Sequence, residues 1–224
     1  MAEKQKKTPA RTEREAERRK VIMRAAVEVF SRKGYHGCRI QDVAKEAGVA
    51  YGLVYHYFKN KDELLESVFA SGWQGFLSRV QAELDREEHV VGRVRGVINV
   101  AFEAYRRDPR AVKVLILEVG RSPAGGAVNR GSAFSAVILA AGQMFREAQA
   151  RGEIPGHLEP VLCATTLFGC IEMGLTSFVM GLLDKRDEAA IDRAREQVAE
   201  TFLNGVCGVP AAPSKSVERA RARS

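Results

Sequence analysis

An all-α fold is predicted for this chain, with a small three-helix unit at the N-terminus and a larger helical domain behind it. Three observations carry that prediction. Apolar residues recur at helical spacing in every strong segment, and no stretch shows the period-two alternation of a half-buried strand. Gly and Pro fall between those segments, where helices start and stop. The positive charge is confined to one end: residues 1–61 hold 15 Lys+Arg against 7 Asp+Glu, net +8, whereas residues 62–224 hold the remaining 20 against 21, net −1.

The length of 224 residues allows one or two domains with a substantial core, and 46% hydrophobic with 28% charged residues is ordinary soluble composition. A basic excess at one end suits a polyanion contacted by that end only, because Lys and Arg that neutralise phosphates release counterions. A merely solvated basic arm is the plainer alternative.

Residues 1–20 mix 8 Lys+Arg with 4 Asp+Glu and Pro9, with no apolar stripe before Val21, so residues 1–12 read as a disordered arm. Such an arm either touches DNA beside the main site or only solubilises the chain. A first helix from about Glu13 to Arg32 puts Val21, Ile22, Ala25, Ala26, Val29 and Phe30 on one face and ends at Gly34. Ile40, Val43, Ala44 and Ala47 form the face of a short second helix stopped by Gly48. A third, from about Tyr51 to Tyr57, turns Val54 and Phe58 inward and leaves Tyr51, Gly52, Tyr55 and His56 on the open side. Two short helices across a tight Gly-containing turn make a helix-turn-helix, whose second helix can enter a major groove. They are too short to stand alone, so the first helix and the start of the fourth must supply their core. Asn60 with Glu63 is a capping-box-like start for that fourth helix, which runs to about Arg86 with Leu64, Leu65, Val68, Phe69, Trp73 and Phe76 along its inward face. Its length makes it a natural lever between the two parts of the chain.

Gly34-Tyr35, Ile40-Gln41-Asp42-Val43-Ala44, Ala47-Gly48-Val49, Gly52, Tyr55-His56-Tyr57-Phe58 and Lys61 together resemble the N-terminal domain of the TetR family, over about residues 17–77. The resemblance implies a homodimeric transcriptional regulator, a repressor released from a pseudopalindromic operator by a small hydrophobic effector. It assigns Arg39, Tyr51, Tyr55, Lys59 and Lys61 mainly to phosphates, and Gln41, Tyr51, Gly52, Leu53 and His56 to the groove. The chemistry agrees: Tyr hydroxyls and ammonium groups hold register, Gln can pair with adenine, and Gly admits close backbone approach. Tyr57 and Phe58 read as core. Cys38 and Arg39 stand where the family commonly has Thr, Ala50 where it has Ser, and Leu53 where it has Thr. Ala50 cannot cap the third helix through its side chain, which frees N–H groups for phosphate, and Leu53 suits a thymine methyl. The expected division is arm 1–12, helix-turn-helix domain 13–62, effector and dimerisation domain 63–208, and a basic disordered tail 209–224.

Val90, Val94, Val97, Ile98, Ala101, Phe102 and Tyr105 mark a fifth helix, closed by Asp108-Pro109, and Val112, Leu115, Ile116 and Val119 a short sixth. Residues 121–126 are a loop. Phe134, Val137, Ile138, Ala141, Phe145 and Ala148 mark the seventh helix, ended near Gly152. Residues 161–183 are nearly all apolar around Glu172. A membrane span is disfavoured by the central Glu and by Pro160 as a helix start, so the segment reads as buried both within its subunit and across a dimer. Thr166, Cys170 and Gly174 form a small-residue row, and Ile191, Ala194, Val198 and Phe202 a stripe on the last helix. These seven are the expected dimer interface.

Trp73, Phe76, Phe102, Phe134, Phe145, Phe168, Met173 and Phe178 are candidate effector-lining residues, though for any one of them taken singly core packing is the better-favoured role. Arg151-Gly-Glu-Ile154, Phe168-Gly169 and Phe178-Val-Met180 are similar to the subgroup of the family that represses fatty-acid degradation genes and answers to long-chain acyl-CoA. That makes acyl-CoA the leading effector, with Arg106, Arg107, Arg121 or Arg130 for its phosphates, and a drug-like or aromatic compound the alternative. The rival class is a small helical enzyme on an acyl or aromatic substrate; 4 His and 4 Cys at no metal or nucleophile spacing argue against it and against a resident metal or other cofactor. A sequence-indifferent packaging protein would need neither localised charge nor a large apolar domain. Few cysteines, mostly in apolar helices, and no signal-like start predict reduced thiols and a cytoplasmic location.

Overall fold

Local capping chemistry decides most of the helix ends. The computed structural model describes residues 9–117 and 127–207. Among them are α1 (Pro9–Gly37), α2 (Ile40–Ala47), α3 (Tyr51–Tyr57), α4 (Lys61–Arg86), α5 (Val90–Arg107), α6 (Pro109–Leu117), α7 (Ala127–Ala150), α8 (Pro160–Val179) and α9 (Glu188–Cys207), and no strand. Gly34 (φ 71°) interrupts α1 near its end, and Gly48 (φ 65°) closes α2, a backbone that L side chains adopt at a cost. The Asn60 Oδ1 accepts from the Glu63 N–H at 2.8 Å, and Glu63 reaches back to the Lys59 N–H at 2.7 Å, one residue before the group a capping box would use. Asp108 accepts from the Arg110 and Ala111 N–H groups, and Glu159 from that of Leu162 behind Pro160. The arm expected over residues 1–12 is helical from Pro9, a residue that fits a first helical turn; residues 1–8 and the tail 208–224 lie outside the described residues.

Two cores result. The first joins Ile22, Val29 and Phe30 of α1, Val43 of α2, Val54 of α3, Phe58, and Leu64, Leu65 and Val68 of α4; it also takes in Val114 of α6. The second is built from α5, α7, α8 and α9 around Phe102, Tyr105, Phe145, Phe178 and Phe202. α6 is therefore shared. Its Val114 is fully buried in the N-terminal core, Lys113 donates to the Ser31 carbonyl at 2.7 Å, and Arg110 pairs with Glu28 at 2.8 Å.

α8 is long and apolar enough to cross a membrane, with mean hydropathy 1.5 in its most apolar window. Its composition has a different cause. Cys163, Ala164, Leu167, Ile171, Leu175 and Phe178 are buried, while Leu162, Thr166 and Met173 are exposed on the opposite side. This corrects the expected interface at two positions: Ile191 and Phe202 are 3% exposed and belong to the second core, whereas Cys170, Ala194 and Val198 pack against it and keep part of their surface open. Gly174 also faces inward: a Cβ there would stand 3.1 Å from Val198 and 3.4 Å from Phe102, so the glycine lets α9 close on α8 within one subunit. Of the seven residues, Thr166 is on the outer face, where Leu162 (63% exposed), Met173 (63%) and Met180 (62%) continue its stripe.

The Arg151-Gly-Glu-Ile154 segment is a turn. Gly152 has φ 73°, Ile154 is buried, and the Glu153 carboxylate takes the Val90 N–H at 2.6 Å together with the Arg151 guanidinium at 2.5 Å and His89 at 3.3 Å. Arg151 first, then the backbone N–H and His89, hold its carboxyl down at about 2 against an ordinary 4.5. A depressed folded-state value adds stability above the unfolded value and loses it as pH falls through the folded one. Glu153→Gln is expected to lower the unfolding midpoint at pH 7, and the gap to wild type should shrink from about pH 4.5 downward and close near pH 2. A gap independent of pH, in thermal melts across that range, would show that the charge contributes nothing.

Candidate nucleic-acid interface and effector cavity

Arg39, Gln41, Ala50, Tyr51, Gly52, Tyr55, His56 and Lys59 are all exposed, and Leu53 is half-buried at their edge. Arg39, Gln41, Tyr51, Tyr55, Lys59 and Lys61 line one shallow depression between the start of α2 and α3. The Tyr51 and Tyr55 hydroxyls share a hydrogen bond of 3.2 Å with their rings edge to face, 5.1 Å apart. That bond, then partial desolvation, raises the Tyr55 phenol above its ordinary value, so it stays a neutral donor suited to a phosphate oxygen. Asp42 accepts from the Arg39 N–H at 3.0 Å and pairs with Lys33 at 2.7 Å; the Lys33 bond first, then the backbone bond, lowers its pKa. Ala50 makes no side-chain cap, as its methyl dictates. No Cβ neighbour lies within 4 Å of Gly52, so the space over it is open to a docking surface.

Lys61 departs from its expected role. Its ammonium donates to the Tyr35 carbonyl at 2.7 Å and the Cys38 carbonyl at 3.0 Å and lies 4.2 Å from the Tyr35 ring centroid. Tyr35 in turn bonds the Asp62 carboxylate. These contacts staple the end of α1 to the start of α4, and the lysine is a brace before it is a phosphate ligand. Phe58 is buried as core, and burial pushes the Cys38 thiol up to about 11, which keeps it protonated and unreactive.

Behind this head α4, α5, α6, α7 and α8 border an open-sided cavity of about 980 Å³. Phe69, Trp73 and Phe76 line it from α4, their rings stacked in series at 5.7 and 5.5 Å, with Leu115 and Ile116 of α6 and Phe168 of α8 opposite. The cavity touches the shared helix: Val112, Leu115 and Ile116 face it, while Val114 among them sits in the N-terminal core.

The family model for bacterial regulatory proteins of the TetR family matches residues 22–68, from the inner face of α1 to the last α4 residue of the N-terminal core. This is a TetR-family reading head. The chain is a DNA-binding transcriptional regulator and not an enzyme. The Bacillus subtilis fatty acid metabolism regulator protein is 29% identical to it over 185 residues, 83% of this chain and 93% of that protein. The crystal structure of Bacillus subtilis FadR in complex with stearoyl-CoA is similar at 27% identity and TM-score 0.74, covering 85% of this chain and 98% of that one. The fatty acid degradation regulator FadR of Bacillus halodurans, 24% identical over 90% of this chain and 98% of its own, shares the fold with TM-score 0.76.

Within this TetR-family architecture the expected lining divides sharply. Trp73, Phe76 and Phe168 do line the cavity. Phe102, Phe145 and Phe178 are corrected to core residues, exposed by 1%, 0% and 1%, because they point between helices of the second core. Met173 is corrected to the outer face of α8. The side chain of Phe134 lies outside the described residues. Sequence reasoning missed Leu115 and Ile116 as cavity walls, and Glu172 and Arg79 as its polar members. The one available signal was Glu172, a charge in an apolar run.

Tyr55→Phe is expected to weaken binding to every DNA sequence by about tenfold, the worth of a hydrogen bond to a charged acceptor. Gln41→Ala should instead cost about 1–3 kcal/mol of preference at a single base position. Lys61→Met should lower the unfolding midpoint of the free protein before any DNA is added. Binding titrations on a selected site and its point variants, with melts of the free proteins, separate the three; equal scaling by the first two would refute the division of roles.

Proposed function

We propose that this chain is a ligand-responsive repressor whose homodimer holds a pseudopalindromic operator in the bacterial cytoplasm and releases it when a long-chain acyl-CoA fills the cavity. The carrying observation is the placement of α6 between the cavity and the reading head. An occupant that displaces Leu115 displaces the helix whose Val114, Lys113 and Arg110 grip α1. Leu115 also lies 3.6 Å from where a Cβ on Gly72 would stand, so α4 moves with it. Because α4 carries Leu64, Leu65 and Val68 into the N-terminal core, the reading heads change spacing when it tilts. A few ångströms between two heads decide whether both fit successive major grooves.

The acyl-CoA assignment is supported by the cavity's apolar wall and by relatives of 29% and 27% identity, one named for fatty acid metabolism and the other crystallised with stearoyl-CoA. Arg79 and Arg107, both exposed on the cavity wall and in no ion pair among the described residues, are the partners for its phosphates. Arg106 is not: its guanidinium is shared among Glu103, Glu188 (3.0 Å) and Asp192 (2.8 Å). Arg121 and the side chain of Arg130 lie outside the described residues. An aromatic effector is the second reading, favoured by the stacked Phe69, Trp73 and Phe76 rings.

Saturation with palmitoyl-CoA at about 100 times its dissociation constant should add roughly 2.7 kcal/mol to the folded state. The same ligand should abolish binding to a DNA site selected by the protein itself. A midpoint unmoved by palmitoyl-CoA but raised by aromatic cations would replace the first effector by the second.

A further inference from the structure

The cavity is apolar except at a few atoms, and two polar groups away from its exposed rim have no partner among the described residues. The Trp73 Nε1–H is buried with no acceptor among the described residues. Glu172, half-buried in the middle of α8, lines the same cavity and makes no hydrogen bond or ion pair among the described residues. A buried donor left unmet, as at Trp73, costs more than its bond would return, and a half-buried carboxylate in an apolar wall gives up hydration with no partner in exchange, so both groups call for an explanation. The fold supplies none. Phe at position 73 would stack on Phe69 and Phe76 equally well, and any apolar residue would suit the α8 face at position 172. The two polar groups point to an occupant.

We propose that Glu172 is the residue by which this chain tells an activated acyl group from a free acid. The inference rests on the acyl-chain reading of the cavity. A carboxylate drawn into this apolar space would meet a second carboxylate with no counter-ion among the inner wall residues, and like charges in a low-dielectric site repel far more strongly than in water. The cationic members of the wall, Arg79 and Arg107, are exposed. A thioester brings no charge to the same depth. Its carbonyl can accept the Trp73 N–H, and an amide N–H of the arm behind it can donate to Glu172, so both unmet groups are satisfied by one ligand. The regulator then reports only acyl groups already joined to a thiol. Its signal must be made by a reaction that condenses a carboxylic acid with a thiol, and removed by one that consumes the thioester.

The test uses the full chain with palmitoyl-CoA, palmitate and an uncharged palmitoyl ester below its micellar concentration. Trp73 is the sole tryptophan of the chain, so its emission follows occupancy directly; thermal shifts serve where it is replaced. Wild type should prefer both esters to palmitate. Glu172→Gln should raise palmitate affinity roughly tenfold, the factor that about 1.4 kcal/mol represents, and move the uncharged ester by less than about threefold. Trp73→Phe should weaken both esters about fivefold, a neutral hydrogen bond's worth, with the free protein's midpoint unchanged. Should Glu172→Gln fail to fold, Glu172→Met makes the same comparison.

Equal affinity of wild type for palmitate and ester, as when the acid stays at the rim beside Arg107, would overturn the filter. So would an equal gain for acid and ester in the variant. A preference for ester over acid that Glu172→Gln abolishes, without any response to palmitoyl-CoA, would uphold the filter and sink the coenzyme reading of the effector. Binding of palmitoyl-CoA with palmitate indifferent to the substitution would do the reverse, and no response to any lipid would remove both.

Discussion

Helices of eight and seven residues cannot hold themselves up in water, and that constraint organises the molecule. α2 and α3 need apolar surface from elsewhere and take it from three helices: the inner face of α1, the first two turns of α4, and Val114 of α6. The last two reach into the cavity with their other residues, Phe69 and Trp73 on α4, Leu115 and Ile116 on α6. Support for the reading head and the wall of the cavity are thus the same two helices. Communication between the two sites needs no further device, because displacing either helix changes the packing under α2 and α3. Closely packed cores transmit such displacements rather than absorb them.

The same economy governs the DNA face. Lys61 sits where a phosphate ligand was expected and spends two donors on the Tyr35 and Cys38 carbonyls. Those carbonyls lie just past the kink at Gly34, at the end of α1 and in the turn after it, where the Tyr35 carbonyl also takes the Cys38 N–H at 3.3 Å, so the lysine completes the bonding of a helix end. Arg39, Tyr55 and Lys59 remain free to face solvent because the capping of α2 falls to Asp42, whose charge Lys33 also steadies. The side chains proposed to face DNA are, Lys61 apart, those the fold does not need.

The helix-turn-helix was legible in the sequence almost to the residue. Gly48 requires a left-handed backbone, Asn60 a cap, and Ile40, Val43 and Ala44 one buried face, and each of these is a local constraint that one chain segment states by itself. The helices of the larger domain were legible as helices for the same reason. Their faces were not. Phe102, Phe145 and Phe178 carry the same periodic signal as Phe76 and Phe168, and only the arrangement of neighbouring helices decides which aromatic fills a core and which borders a void. Val114 is the sharpest case: between cavity residues on a short apolar helix, nothing local tells that it belongs to the other core.

α8 shows what that ambiguity amounts to physically. Its composition is apolar on every side, and the earlier expectation set Cys170, Gly174 and Thr166 on one seam because they recur at a spacing of four. A helix turns 3.6 residues per turn, so a strict row of four drifts around the cylinder. Over about two turns it passes from the outer face at Thr166, through half-buried Cys170, to Gly174 against Val198 inside the subunit. The stripe that stays outside, Leu162, Thr166, Met173 and Met180, advances by four, seven and seven residues, close to whole turns, and so keeps to one side. Between it and the core face lie Phe168 and Glu172, which open on the cavity. One helix therefore presents three surfaces, to its own core, to the effector space and to solvent. The outer apolar stripe has no partner among the described residues, and a second copy of the chain is the covering that the proposed homodimer supplies.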